Sequence, residues 1–357
     1  MKLYSCECCN NLVYFENIQC VRCGSTLGFL PETMSMATIG NPDGYECPHP
    51  VDKNGNRVYR KCANYQEHNV CNWMVREPEN QLCIACRLNR TIPNLSRPEN
   101  RKYWHALEIE KRRLIFTLLR LDLPLVPKTV NDSGLAFDFL SDKEETFSEM
   151  GRVLTGHDQG LITINIAEAD PVEREKMRTK MAEPYRTILG HFRHESGHYY
   201  WDLLIKDTGW LNPFRDMFGN ETEDYSQAME RHYSQGPPRD WAERFVSSYA
   251  SMHPWEDWAE TWAHYLHIID TLETAYQFGI QIRPKAGENN VLEAAPGYDP
   301  YHQEDIDSLI RHWLPVSFAL NSLNRSMGHG HVYPFVLNSP VIAKLGFVHG
   351  VVRGAAS

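Results

Sequence analysis

The sequence predicts an α+β protein, with small cysteine-bounded modules at the N-terminus followed by a mainly helical body that carries a small β-sheet. Three observations support this. All ten cysteines lie between Cys6 and Cys86, and none follows. Beyond residue 98, apolar residues recur at intervals of three and four over several long segments, the period of a buried helical face. Within that body only two short runs, 135–140 and 161–166, are rich in β-formers. The Pro-containing stretch Thr91-Ile-Pro93-Asn-Leu-Ser96-Arg-Pro98 reads as the joint. The expected division is therefore 1–35, 36–97 and 98–357.

At 357 residues, with 42% hydrophobic and 11% aromatic side chains, the chain can bury one large or two ordinary cores. No run of eighteen apolar residues occurs, so no membrane-spanning helix is expected. The start, MKLYSCECCN, lacks the apolar centre of a secretory signal. A cytoplasmic location with reduced, metal-ligating cysteines is the expectation. Residues 1–100 carry ten basic and ten acidic side chains, so the whole net charge of −10 belongs to the rest. An acidic body does not suit nucleic acid, which selects basic stripes.

In the first module Cys6 and Cys9 form one C-x-x-C and Cys20 and Cys23 another. Four thiolates at this spacing suit a tetrahedral zinc ion and leave no open position, so the role is structural. Cys8, beside Cys9, is the expected spare thiol of this set, with Cys8 in place of an assigned ligand left open. Tyr14 and Phe15, between the knuckles, fit a short hairpin. In the second module Cys62, Cys71, Cys83 and Cys86 form the expected set, with Cys47 a competitor for the place of Cys62. Neither segment has apolar residues enough for its own core, so metal would supply much of the folding energy, on the order of 10–16 kcal/mol for small zinc modules.

After the joint, residues 100–121 read as a helix ended by Pro124 and Pro127. Asn131-Asp-Ser-Gly134 reads as a turn, and Asp170-Pro171 as the cap and first residue of another helix. The strand at 161–166 precedes the chemically richest segment, His191-Phe-Arg-His194-Glu195-Ser-Gly-His198-Tyr-Tyr-Trp-Asp202. A strand edge there could pair with an extended peptide. Tyr185, Ile188, Leu189, Phe192, Ser196, Tyr199 and Leu203 trace one mostly apolar helical face, and Pro184 suits the first helical position. His194 and His198, at i and i+4, share a face and can hold one metal ion together, with Glu195 placed to take a proton from its water. Asp202 and His191 lie on the same stripe. Asp202 is a candidate to orient an imidazole.

A catalytic zinc takes three protein ligands and a water. The helix expected from Pro254 carries Glu256, Glu260 and His264 one turn apart, beside a stripe of Trp255, Trp258 and Trp262. Carboxylates among large apolar side chains need a charged partner, and a metal would provide one. H-E-x-x-H followed by a helix bearing E-x-x-A-E is similar to the gluzincin metallopeptidases, including the anthrax lethal factor type. That resemblance implies Glu256 as the third zinc ligand, Glu260 as a supporting carboxylate, and Tyr249, seven residues before Glu256, as donor to the transition-state oxyanion. Glu260 as ligand in place of Glu256, and His264 as ligand or supporting partner, remain open.

Over a longer span the chain resembles the bacterial zinc-ribbon metallopeptidase family. The matching stretches are the C-x-x-C pairs with Phe15-Glu-Asn17, Cys71-Asn-Trp73, His194–Trp201, His253–His264 and Tyr333-Pro-Phe335. This implies a zincin-like peptidase domain behind zinc ribbons, one catalytic and two structural Zn2+, and a peptide or protein substrate. Two other classes stay in view. One is a zinc-ribbon binder of protein or nucleic acid with an inert helical domain, for which Arg57, Arg60 and Lys61 would be the patch. The other is a purely structural zinc closed by His264. Gly328-His329-Gly330-His331 reads as a turn.

Overall fold

The computed structural model describes residues 2–40, 58–141, 155–180, 186–286 and 292–355. Cys47, Arg57, Pro184 and Tyr185 lie outside them. The chain forms two compact units, one of residues 1–116, 126–156 and 161–174, the other of 117–125, 157–160 and 175–357.

In the first unit β1 (Tyr4–Ser5) pairs antiparallel with β2 (Leu12–Val13), wrapping the first knuckle rather than the segment around Tyr14. β3 (Thr26–Leu30) and β4 (Ser35–Gly40) form a second antiparallel pair. β5 (Arg60–Lys61), the short α1 (Ala63–Gln66) and β6 (Met74–Val75) build the second cysteine module. A parallel bridge Phe29–Trp73 joins the two modules, with Phe29 N donating to Asn72 O at 2.8 Å.

The cysteine modules do not stand as separate cores. β7 (Asn89–Thr91) leads to α2 (Pro98–Arg120), whose Phe116 closes an aromatic cluster with Phe15, Phe29 and Trp73 at centroid separations of 4.9–6.1 Å. Each buried aromatic removes a large apolar area from water, and edge-to-face pairs add about 0.5–1.5 kcal/mol apiece. α2 also buries Lys111 against Glu108 at 2.9 Å, and Arg112 donates to Val70 O at 2.6 Å, fixing the helix to the second module.

β8 (Ala136–Leu140), β9 (Gly156–Asp158) and β10 (Leu161–Asn165) complete a four-stranded sheet of order β7-β8-β10-β9. β8 is parallel to both β7 and β10, and Phe137, Phe139, Ile162 and Ile164 are buried. Gln159 and Gly160, both at positive φ, make the tight turn from β9 to β10. α3 (Pro171–Lys180) is capped as the sequence suggested, Asp170 Oδ1 accepting from Val172 N at 2.8 Å.

The second unit is helical. α4 (Ile188–Leu204) starts with Thr187 as cap, Oγ1 accepting from Gly190 N at 3.0 Å, four residues later than Pro184 would have placed it. It is not an amphipathic surface helix. Nine of the ten residues from Phe192 to Trp201 are buried, so it runs through the interior and its polar groups need partners. α5 (Leu211–Phe218) and α6 (Tyr225–Gln235) precede α7 (Pro254–Gln277), the long helix that α4 crosses. α8 (Ile306–Ser326) and α9 (Ser339–Ala355) pack on α7, with Lys344 of α9 donating to the buried Asp257 at 2.6 Å.

Two features bring α4 and α7 close. Gly197 faces Ala259 and Trp262 so tightly that a Cβ there would lie 3.0 Å from the Ala259 Cα. Trp258 Nε1 donates to Gly197 O at 2.8 Å, and Trp262 Nε1 to Ser196 Oγ at 3.1 Å. Trp258 and Trp262 are thus packing residues with their indole N–H groups satisfied across the helix pair, whereas that of Trp255 has no hydrogen-bond partner among the described residues. Arg193, buried beside the motif, pairs with Asp270, which also accepts from Thr117 Oγ1 at 2.8 Å and from the Tyr301 hydroxyl. No helix of the described residues is long and apolar enough to cross a membrane.

Candidate metal centre

α4 presents His194 and His198 on one face with ring centroids 5.0 Å apart. α7 opens with His253 as its cap, Nδ1 accepting from Trp255 N at 3.1 Å, and Pro254 as its first residue, so Glu256 emerges in the first turn. One ligand atom from each of His194, His198 and Glu256 lies within 4.8 Å of the other two. His194 Nε2 stands 3.0 Å from Glu256 Oε2, and His198 Nε2 stands 3.6 Å from Oε1. Two imidazole nitrogens and a carboxylate oxygen converging from two helices could hold a zinc ion, since three protein donors of these types leave one of its four positions open.

The groups behind these three atoms fit the same reading. His194 Nδ1 meets Glu260 Oε1 at 2.8 Å, and Glu260 Oε2 accepts from Ser247 Oγ at 2.6 Å. A carboxylate on Nδ1 fixes the tautomer that leaves the Nε2 lone pair free for a metal. Glu256 Oε1 accepts from the Tyr225 hydroxyl at 2.7 Å, while buried Oε2 has no hydrogen-bond donor other than His194 among the described residues. Burial pushes His194 down but Glu256 and Glu260 outweigh it and hold it well above the usual imidazole range. Burial likewise raises Glu256, yet His198 and His194 pull it well below the usual carboxylate range.

Glu195 is buried, and its carboxyl is pushed up by burial despite His194 and His198. The Tyr249 ring lies 6.0 Å from His194, and burial and then Glu256 hold its hydroxyl firmly protonated. Glu260 meets His194 at Nδ1 and contributes no atom to the converging set. His264 stands apart from the trio as well, its Nδ1 2.7 Å from the Tyr333 hydroxyl and its ring 4.4 Å from Phe335. Asp202 hydrogen-bonds to neither imidazole among the described residues, and His198 Nδ1 has no protein partner there. Gly328 takes a positive φ in a turn, and neither His329 nor His331 joins a ligand cluster among the described residues.

Sequence reasoning missed three residues at this centre. Tyr225 comes from α6, at no spacing that any motif marks. Ser247 lies two residues before Tyr249, and only the supporting role of Glu260 could have suggested a hydroxyl for it. His157 of β9 stacks 6.1 Å from His198, and its Nε2 accepts from Gly160 N at 2.8 Å.

In the first unit Cys6, Cys9, Cys20 and Cys23 gather at one point, and Cys62, Cys71, Cys83 and Cys86 at another. Sulfur pairs Cys6–Cys23 and Cys9–Cys20 are 3.6 Å apart, and Cys71–Cys83 are 3.8 Å apart. A tetrahedron with Zn–S of about 2.3 Å has edges of about 3.8 Å, so both sets fit zinc. Cys8 is half-buried, stands outside the first cluster and is disulfide-bonded rather than a spare thiol. Arg60 donates to Pro78 O at 2.8 Å and Lys61 sits 4.3 Å over the Tyr65 ring, so both side chains serve their own module.

A cysteine-ligated N-terminal region followed by a helical domain with an H-E-x-x-H helix and a facing carboxylate helix defines a zinc-ribbon protein of metallopeptidase type. The chain belongs to the family described as "Putative zinc-binding metallo-peptidase", whose model matches residues 100–351, and a zinc-ribbon domain model matches residues 3–97. Uncharacterized proteins of Mycobacterium bovis and of the CDC 1551 and H37Rv strains of Mycobacterium tuberculosis are 41% identical over 361 residues, covering 100% of this chain and 96% of each relative. No solved structure matches the chain.

Proposed function

We propose that the chain is a zinc-dependent, gluzincin-like peptidase that hydrolyses a peptide or related amide bond. The observation that carries this is the convergence of His194, His198 and Glu256 with Glu195 beside them and Glu260 behind His194. In this reading His194, His198 and Glu256 hold the catalytic zinc. Cys6, Cys9, Cys20 and Cys23 hold one structural zinc, and Cys62, Cys71, Cys83 and Cys86 a second. Residues 1–35, 36–97 and 98–357 are its functional segments. Bound zinc supplies Lewis acidity and brings the pKa of a water towards roughly 7.

The protein groups do the rest. Glu195, with its carboxyl pushed up by burial, takes the water proton and returns it to the leaving amine. Tyr249 donates to the developing oxyanion, where loss of one donor typically costs about 10²–10³ in rate. β10, the strand expected to offer an edge, is flanked by β8 and β9, so the edge that would pair with an extended substrate backbone is that of β9, last in the order among the described residues, whose His157 lies beside His198. The zinc-loaded full chain should cleave members of a peptide library, and Glu195→Gln should lose about 10²–10⁴ in rate with its zinc content intact. Equal cleavage by the two would overturn the mechanism. A ribbon-only binding role draws no support from Arg60 and Lys61, whose side chains are engaged within their own module.

A further inference from the structure

We infer that Tyr225 is a positioning residue for Glu256, holding one carboxylate oxygen so that the other alone serves the metal; this rests on the metal reading above. The two oxygens of Glu256 have different surroundings. Oε1 accepts from the Tyr225 hydroxyl at 2.7 Å. Oε2 lies 3.0 Å from His194 Nε2 and, among the described residues, has no other hydrogen-bond donor. A carboxylate free to bind through both oxygens would fill an extra coordination position, the one a reacting water or carbonyl needs. With Oε1 occupied by a hydroxyl donor, ligation runs through Oε2 and that position stays open.

The placement of Tyr225 is built into the fold. It is the first residue of α6, directly after the cap Asp224, whose Oδ1 accepts from Gln227 N at 2.9 Å. His253, the cap of α7, accepts from Trp255 N on Nδ1, so its Nε2 carries the proton and donates to Glu223 O at 3.1 Å. One imidazole thereby ties the start of α6 to the start of α7, and Tyr225 to the first turn that bears Glu256. The Tyr225 ring packs 5.4 Å from His253 and 6.2 Å from Trp255, whose own ring lies 3.9 Å from His198. The Tyr225 hydroxyl, which donates to Glu256, also interacts with that of Tyr249.

The test uses the zinc-loaded full chain. Zinc affinity of the histidine site is read by chelator competition, with His194→Ala defining the zinc held elsewhere. Tyr225→Phe removes one oxygen and keeps the ring contacts, and its melting temperature reports the fold. The expected result is zinc binding about 10–100-fold weaker in Tyr225→Phe, with a changed visible spectrum after cobalt substitution. Tyr249→Phe should keep wild-type affinity while losing turnover. Wild-type affinity in Tyr225→Phe, whether turnover falls or not, overturns the assignment, as does weaker binding that only tracks a lower melting temperature. If His194→Ala holds as much zinc as the wild type, the metal reading itself fails and this assignment falls with it.

Discussion

Glu260 sits where it can set the tautomer of His194 without touching the trio of ligand atoms, and Ser247 holds its second oxygen. Removing that orienting charge should weaken metal binding more than it disturbs the fold. Glu260→Gln is expected to lower zinc affinity of the histidine site about 10–100-fold, read by chelator competition. His264 predicts a different effect, on stability against pH. Burial holds its imidazole down at about 4, with Arg193 adding to the lowering and Glu260 opposing it. His267 and His349 are lowered by burial as well. The unfolded chain titrates histidine near pH 6.5, so between about 6.5 and 4 it binds protons that the native state refuses. The stability from neutral His264 is therefore complete above pH 6.5 and lost as pH falls towards 4, to a total of about 3 kcal/mol. Urea unfolding at pH 7.5 and pH 5 should show the loss, and His264→Asn should shrink the difference between the two. A difference unchanged in that variant would remove His264 from the account.

At the scale of elements, the centre depends on how closely α4 and α7 approach. Gly197 allows it, since a Cβ there would press on the Ala259 Cα at 3.0 Å and on Trp262 at 3.2 Å. Gly197→Val should cost about 1–3 kcal/mol by overpacking, measured by thermal denaturation, and should reduce zinc retention because His198 is the next residue. A stable variant with full zinc content would show that the crossing tolerates separation. Much of α4 was legible: the i, i+4 histidines and the helical period gave its identity and the face on which both histidines lie. Its burial on all sides was not. Arg193 reads in sequence as a surface cation, and its partner Asp270 lies 77 residues on in α7. Pattern reasoning finds partners one turn away, and misses those that only a helix crossing creates. Tyr225 escaped for the same reason, reaching Glu256 from another helix across 31 residues.

For the whole molecule, the C-x-x-C pairs pointed to both four-thiol clusters, because thiolate geometry leaves few options at that spacing, while the looser Cys62 and Cys71 left Cys47 open as a competitor. What the spacings could not specify is the shared aromatic core of Phe15, Phe29, Trp73 and Phe116, which makes the two cysteine modules and α2 fold together. Metal removal should therefore melt the first unit cooperatively. A strong chelator is expected to abolish the near-ultraviolet signal of these aromatics, with recovery on adding zinc, whereas two separate transitions would contradict a common core. The measurement that reaches the central claim most directly is elemental zinc counting on the full chain, with peptide cleavage assayed on the same samples. Three zinc ions and cleavage are predicted for the wild type, and two zinc ions without cleavage for a chain carrying His194→Ala and His198→Ala together. An unchanged zinc count, or undiminished cleavage, in that double variant would contradict the account.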